Sequence, residues 1–135
     1  MAGRALALAC AGAAGIMLAL SVTGIAAGRT KITLLRGTVG PGFTINLTKN
    51  GRKVTQLAPG MYRIVVSDRS PIHNFKLEKS GGGLERAVTT VGFTGTRAIT
   101  VRLTRGRWEY YCVPHESSMK GHFVVGTGVA PATDD

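Results

Sequence analysis

Residues 110–125 read "YYCVPHESSMKGHFVV". A thiol (Cys112), an imidazole (His115) and a thioether (Met119) fall close together there, ahead of an apolar run. Extended back to Arg107, the stretch becomes "RWEYYCV", in which Trp108, Tyr110 and Cys112 alternate with Glu109 and Tyr111. Alternation with period two is the mark of a strand with one buried face. The aromatic face is expected to turn inward and to carry Cys112 with it. Pro114 cannot donate to a ladder, so the strand is expected to stop there and the following turn to bring His115 back towards Cys112. Gly121 is expected to let the chain turn into a last strand, "HFVV" (122–125).

The same period recurs upstream. "FTINLT" (43–48) sets Phe43, Ile45 and Leu47 against Thr44, Asn46 and Thr48. "RAITVRLT" (97–104) sets Ile99, Val101 and Leu103 against Thr100, Arg102 and Thr104. "MYRIVVS" (61–67) is rich in residues that favour strands, and "HNFKLE" (73–78) reads as one more strand. Between them, Asn50-Gly51 is a hairpin signal, "APG" (58–60) a turn and "KSGGGLE" (79–85) a flexible loop. No helical stripe stands out after residue 28. Short strands broken by Gly and Pro predict an all-β sandwich or barrel, and "TLL", "IVV" and "FVV" supply aliphatic side chains for its core.

The domain is preceded by a segment of another kind. Arg4 leads into an uncharged apolar run that ends in "GIAA" at Ala27. This pattern predicts a signal peptide or membrane anchor over 1–27, with residues 28–126 as the folded domain and 127–135 as a flexible tail. The domain is thus expected outside the cytoplasm, periplasmic or extracellular, touching a membrane only through an uncleaved N-terminal segment. Cys10 lies in that segment, which leaves Cys112 without a partner for an internal disulfide and marks it as a candidate site. The net charge of +10 suits an acidic partner, but the Lys and Arg residues are spread along the chain rather than gathered in a block. With no nucleic-acid motif, nucleic acid is not expected as a partner, and the chain is expected to act as a monomer.

A thiolate, imidazoles and a thioether form a donor set suited to copper, since sulfur favours Cu(I) and imidazole accepts Cu(II). One further histidine is needed, and "SPIHNFKL" offers His73 beside a Pro-containing turn; the third histidine, His122, lies beyond the loop that can wrap a metal. Either His or Met alone is more often ordinary core or surface, but Cys-x-Pro-His-x-x-x-Met in a β-domain is far more specific. Covalent haem needs a Cys-x-x-Cys-His run, zinc usually takes more Cys or His and no Met, and a catalytic thiolate must be open to substrate. The chain is therefore not expected to be an enzyme.

"HNF" followed by "CVPHESSMKG" resembles the cupredoxins, the type I blue-copper family, and within them plastocyanin and amicyanin. "TVGPGFTINL", "LAPGMYRIVVSDRSPIHNF" and "RGRWEYYCVPHESSMKGHF" are similar to small bacterial plastocyanin-like proteins, so the likeness spans nearly all of residues 30–126. The resemblance implies a Greek-key β-sandwich of about seven or eight strands. It also implies one type I Cu ion on His73, Cys112, His115 and an axial Met119, with Asn74 tying the two ligand loops together. The implied function is one-electron transfer between redox partners, with the second histidine of the loop reaching the surface through an apolar patch. The alternative is an exported copper chaperone or buffer, which the sequence supports little, since the domain has only Met61 and Met119 as methionines. Three residues separate His115 from Met119; plastocyanins usually have more and amicyanins fewer.

Overall fold

The computed structural model describes residues 28–127, with Gly3 besides. The expected signal or anchor over 1–27 and the expected tail over 127–135 lie outside the described residues, Gly3 and Thr127 apart. Ten strands are present: β1 (Ile32–Val39), β2 (Ile45–Lys49), β3 (Arg52–Lys53), β4 (Gln56–Leu57), β5 (Gly60–Asp68), β6 (Lys76–Lys79), β7 (Glu85–Ala87), β8 (Gly95–Leu103), β9 (Gly106–Tyr111) and β10 (Lys120–Val125). A single 3-10 turn, Val113–His115, stands between β9 and β10. The ten strands are more than the seven or eight the resemblance implies; seven have four residues or more, and β3, β4 and β7, of two or three residues, make up the excess.

The strands form two five-stranded sheets, ordered β3-β2-β1-β5-β8 and β4-β10-β9-β6-β7. β1 with β5 and β10 with β4 are parallel, and every other pair is antiparallel. The chain passes repeatedly from one sheet to the other, as a Greek-key sandwich requires. Each sheet turns its alternate residues inward. Leu35, Leu47, Ile64, Val66 and Leu103 from the first meet Leu77, Trp108, Tyr110, Phe123 and Val125 from the second. Each fully buried aliphatic side chain contributes about 1.5–3 kcal/mol. Among the described residues, 32–125 supply all ten strands and the whole core, and a chain begun at Gly28 contains them all.

The Asn50-Gly51 signal is borne out: both residues have positive φ, 50° and 77°, which matches the two-residue turn between antiparallel strands. The inward face of "RWEYYCV" is also as expected, with Trp108 and Tyr110 1% exposed and Cys112 fully buried. Tyr111, on the opposite face, is buried too. It pairs between Lys76 and Lys120 on the flanking strands, the Lys76 ammonium lies over its ring, and its hydroxyl donates to Glu78 Oε2.

Three expectations need correction. Phe43 does not join the inward row of Ile45 and Leu47. β2 begins at Ile45, and positive φ at Gly40 and Gly42 turns residues 41–43 out of the ladder, leaving Phe43 61% exposed. The strand expected from His73 starts at Lys76, because His73 N–H bonds back to Ser70 in a turn. Gly121 is not a turn residue but lies within β10, directly opposite Tyr110.

Candidate metal centre

β1 and β5 run parallel, so the segments that follow them emerge at the same end of the sandwich. Phe43 follows β1 and His73 follows β5 there. β9 delivers Cys112 to that end from the other sheet, one residue past its last paired position, and the 3-10 turn folds His115 back. His115 N–H donates to the Cys112 carbonyl at 3.1 Å, the turn expected of Pro114. The loop is then closed on itself: Met119 N–H donates to the His115 carbonyl at 2.8 Å, and Cys112 N–H donates to the Met119 carbonyl at 3.0 Å.

The sequence-predicted donors His73, Cys112 and His115 come together. Cys112 Sγ is 3.7 Å from Nδ1 of His73 and 3.7 Å from Nδ1 of His115, and the two Nδ1 atoms are 3.0 Å apart. A triangle with those sides has its centre about 2.0 Å from each corner, the length of a metal–nitrogen bond and a little under that of a metal–sulfur bond. A His–His hydrogen bond would explain the shortest side alone. It does not explain why both rings also aim the same nitrogen at one buried sulfur. Among the described residues this is the one group of His, Cys and acidic side chains placed to hold a metal.

Met119 is 1% exposed and packed in the core beside this loop. The outlying histidine, His122, stands apart on β10, exposed, with its Nδ1 3.5 Å from Glu109 Oε2 across the ladder. Asn74 ties the two loops, as the resemblance implies: its Oδ1 accepts the Val113 N–H at 2.8 Å, joining the His73 segment to the Cys112–His115 turn. The Asn74 side chain is 5% exposed, so water does not replace it. Asn74→Ala is expected to cost about 1–3 kcal/mol by orphaning the Val113 N–H, read as a lower denaturant midpoint with an unchanged slope.

Alternation hid one residue of the site. The Phe43 ring meets His73 edge-on at 5.3 Å and His115 at 4.9 Å between centroids, so one exposed aromatic covers both imidazoles. The Pro41-Gly42 pair just before it was the signal that could have moved Phe43 from strand to turn. Of the six large apolar side chains exposed among the described residues, four surround this end: Phe43, Ile72, Val91 and Val113. Ile72 and Val113 adjoin His73 and Cys112 in sequence, and Val91 is held near them by the Gly92 N–H bond to the Pro71 carbonyl at 2.7 Å.

A buried sulfur with two imidazole nitrogens about one point, and a thioether in the adjoining core, is a donor set for a soft metal such as copper rather than for a hard oxygen-seeking ion. No family model and no curated protein matches the chain. Among solved structures, rusticyanin from Thiobacillus ferrooxidans is 18% identical, over 71% of this chain and 78% of its own, with a TM-score of 0.51. Reduced rusticyanin is 20% identical, over 71% and 80%, with a TM-score of 0.52. Auracyanin A, a "blue" copper protein from the green thermophilic photosynthetic bacterium Chloroflexus aurantiacus, is 16% identical over 71% of this chain and 100% of its own, with a TM-score of 0.52. At these identities the likeness is one of architecture, and the chain has the cupredoxin-like β-sandwich fold that these proteins share.

Proposed function

We propose that the protein is a blue-copper electron carrier, in which His73, Cys112, His115 and Met119 would hold one type I copper ion. The observation that carries this reading is the triangle of one Sγ and two Nδ1 atoms, whose centre is a bond length from all three. The bound ion would supply a one-electron couple, Cu(II)/Cu(I). The protein's part is to hold the donors still between the two charge states. Cys112 offers the strong thiolate bond from a fully buried position, while the Asn74–Val113 bond and the Met119–His115 bond fix the loops on either side. Phe43 meets both imidazoles edge-on and covers part of them. A site that needs little rearrangement exchanges electrons quickly.

The apolar rim of Phe43, Ile72, Val91 and Val113 supports docking of a redox partner over His115, the half-buried ligand of the three. The net charge of +10 favours an acidic partner, the apolar N-terminal run favours an exported chain, and the plastocyanin- or amicyanin-like ligand loop favours a monomeric carrier rather than an enzyme. The chaperone alternative has less support, since Cys112 is inaccessible for handing the ion over.

The test is a visible absorption spectrum of the chain begun at Gly28 after addition of Cu(II). An intense thiolate-to-copper band that bleaches on reduction and returns on oxidation is expected. A folded protein with no such band would overturn the proposal. Met119→Gln is expected to keep copper but to lower the reduction potential by at least about 59 mV, a factor of ten in the electron-transfer equilibrium. An unchanged potential in a voltammetric titration would remove Met119 from the site.

A further inference from the structure

The two exposed large apolar residues that do not surround the ligands, Ile32 at 54% and Leu34 at 42%, lie at the other end of the molecule. Both are on β1, whose Ile32 end stands roughly 23 Å from its Val39 end by the rise of a strand. They point to the outer face of the first sheet, because Leu35, Gly37 and Val39 take the inner face. The pairing sets Met61 beside Ile32, Arg63 beside Leu34, and Arg102 beside Met61; Arg36 follows on the same face of β1. The three arginines are exposed.

Among the described residues this face carries no carboxylate. Of the acidic residues among those described, Glu78, Glu85 and Glu109 are on the second sheet, Glu116 is in the ligand loop, and Asp68 points into the core. The salt bridges among the described residues join Lys76 to Glu85 and His122 to Glu109, so Arg36, Arg63 and Arg102 have no acidic partner. Cations that look evenly spread in sequence are thus sorted by the fold, with an apolar patch interleaved among those of one face. The same end receives the chain from the apolar run that closes at Ala27, with Arg29 and Lys31 in the few residues between.

We propose that the outer face of the β1-β5-β8 sheet is a docking surface for an anionic lipid bilayer, with Arg36, Arg63 and Arg102 facing headgroup phosphates and Ile32, Leu34 and Met61 resting among them. The charge is complementary, the apolar side chains match an interface rather than bulk water, and the chain arrives at this end from a segment apolar enough to enter the bilayer. A soluble acidic partner would account for the arginines but not for the position of the patch at the root of that segment. Docking by this face leaves the His115 end, at the far tip of the strands, free for a redox partner.

The experiment is cosedimentation of the chain begun at Gly28 with vesicles of mixed phosphatidylglycerol and phosphatidylcholine, and of phosphatidylcholine alone. Binding to the anionic vesicles at low salt is expected, with release near 1 M salt, where screening acts over ~3 Å, and little binding to the zwitterionic ones. Each arginine near a charged surface is worth roughly fivefold in partitioning. Arg63→Glu with Arg102→Glu is therefore expected to weaken binding at least about thirtyfold, while the circular dichroism and thermal midpoint stay as in the parent. Failure of the parent chain to sediment with anionic vesicles at low salt would overturn the proposal and favour an acidic protein as the occupant. So would equal binding by the charge-reversed variant, or equal binding to phosphatidylcholine alone.

Discussion

Cys112→Ser is expected to yield a folded protein with no intense visible band in the presence of Cu(II). Serine is nearly isosteric with cysteine, and the backbone bonds that place the residue do not involve its side chain: Cys112 N–H still meets the Met119 carbonyl, and its carbonyl still accepts from His115. What changes is the donor. A hydroxyl is a hard ligand that stays protonated near neutral pH, so it neither neutralises the ion as a thiolate does nor supplies the sulfur electrons that the absorption requires. His73 and His115 remain 3.0 Å apart and can still bind copper weakly, as a pale two-nitrogen site. Burial of the hydroxyl is expected to cost about 1–3 kcal/mol, small enough for circular dichroism and a thermal melt to show the fold intact. Colour lost while the fold remains assigns the chemistry to the sulfur. A folded serine variant with the full band would refute the whole ligand assignment.

The site was legible where the chemistry is local. Cys112, Pro114 and His115 lie within four residues, and the restriction at proline with the period-two pattern of β9 fixes both the inward thiol and the returning imidazole. His73 was found by its donor type and its neighbouring turn, and it is set beside Cys112 by the pairing of β6 with β9, Lys76 opposite Tyr111, which no local pattern contains. The features that stayed hidden share that cause. β3 and β4 have two residues each, too few to show a period. Phe43 obeys the alternation of β2 but precedes its ladder, so the positive-φ turn at Gly40 and Gly42 decided its place. The gathering of arginines on one outer face depends on strand register, not on runs of charge.

Gly121 shows most sharply how register overrides a local reading, and Gly121→Ala is expected to be among the most damaging single-methyl additions in the domain. Glycine suggested a turn, but its place is in β10 opposite Tyr110, whose ring lies across the space a side chain would fill. A Cβ built at Gly121 would come 2.2 Å from the Tyr110 hydroxyl oxygen and 2.3 Å from the ring carbon that bears it. The ring cannot swing clear. It is 1% exposed, stacks on Phe75 with centroids 5.6 Å apart and planes 1° from parallel, and lies 6.5 Å from Phe123. Burial raises the Tyr110 phenol above its ordinary pKa, against a backbone hydrogen bond from Leu47, so the group stays neutral in the core and a displaced ring would lose that bond as well. Overpacking of a tight core costs about 1–3 kcal/mol, and an orphaned buried hydroxyl adds a similar amount. The expected loss is therefore several kcal/mol, read as a large fall in the denaturant midpoint. The damage should extend to the metal, because Gly121 stands two residues from Met119 and its partner Tyr110 two residues from Cys112. In a Tyr110→Val background the added methyl no longer meets the three atoms nearest to it, all of which belong to the Tyr110 ring and hydroxyl, so Gly121→Ala should there cost much less. Equal costs in the two backgrounds would show that the ring is not what forbids a side chain at this position.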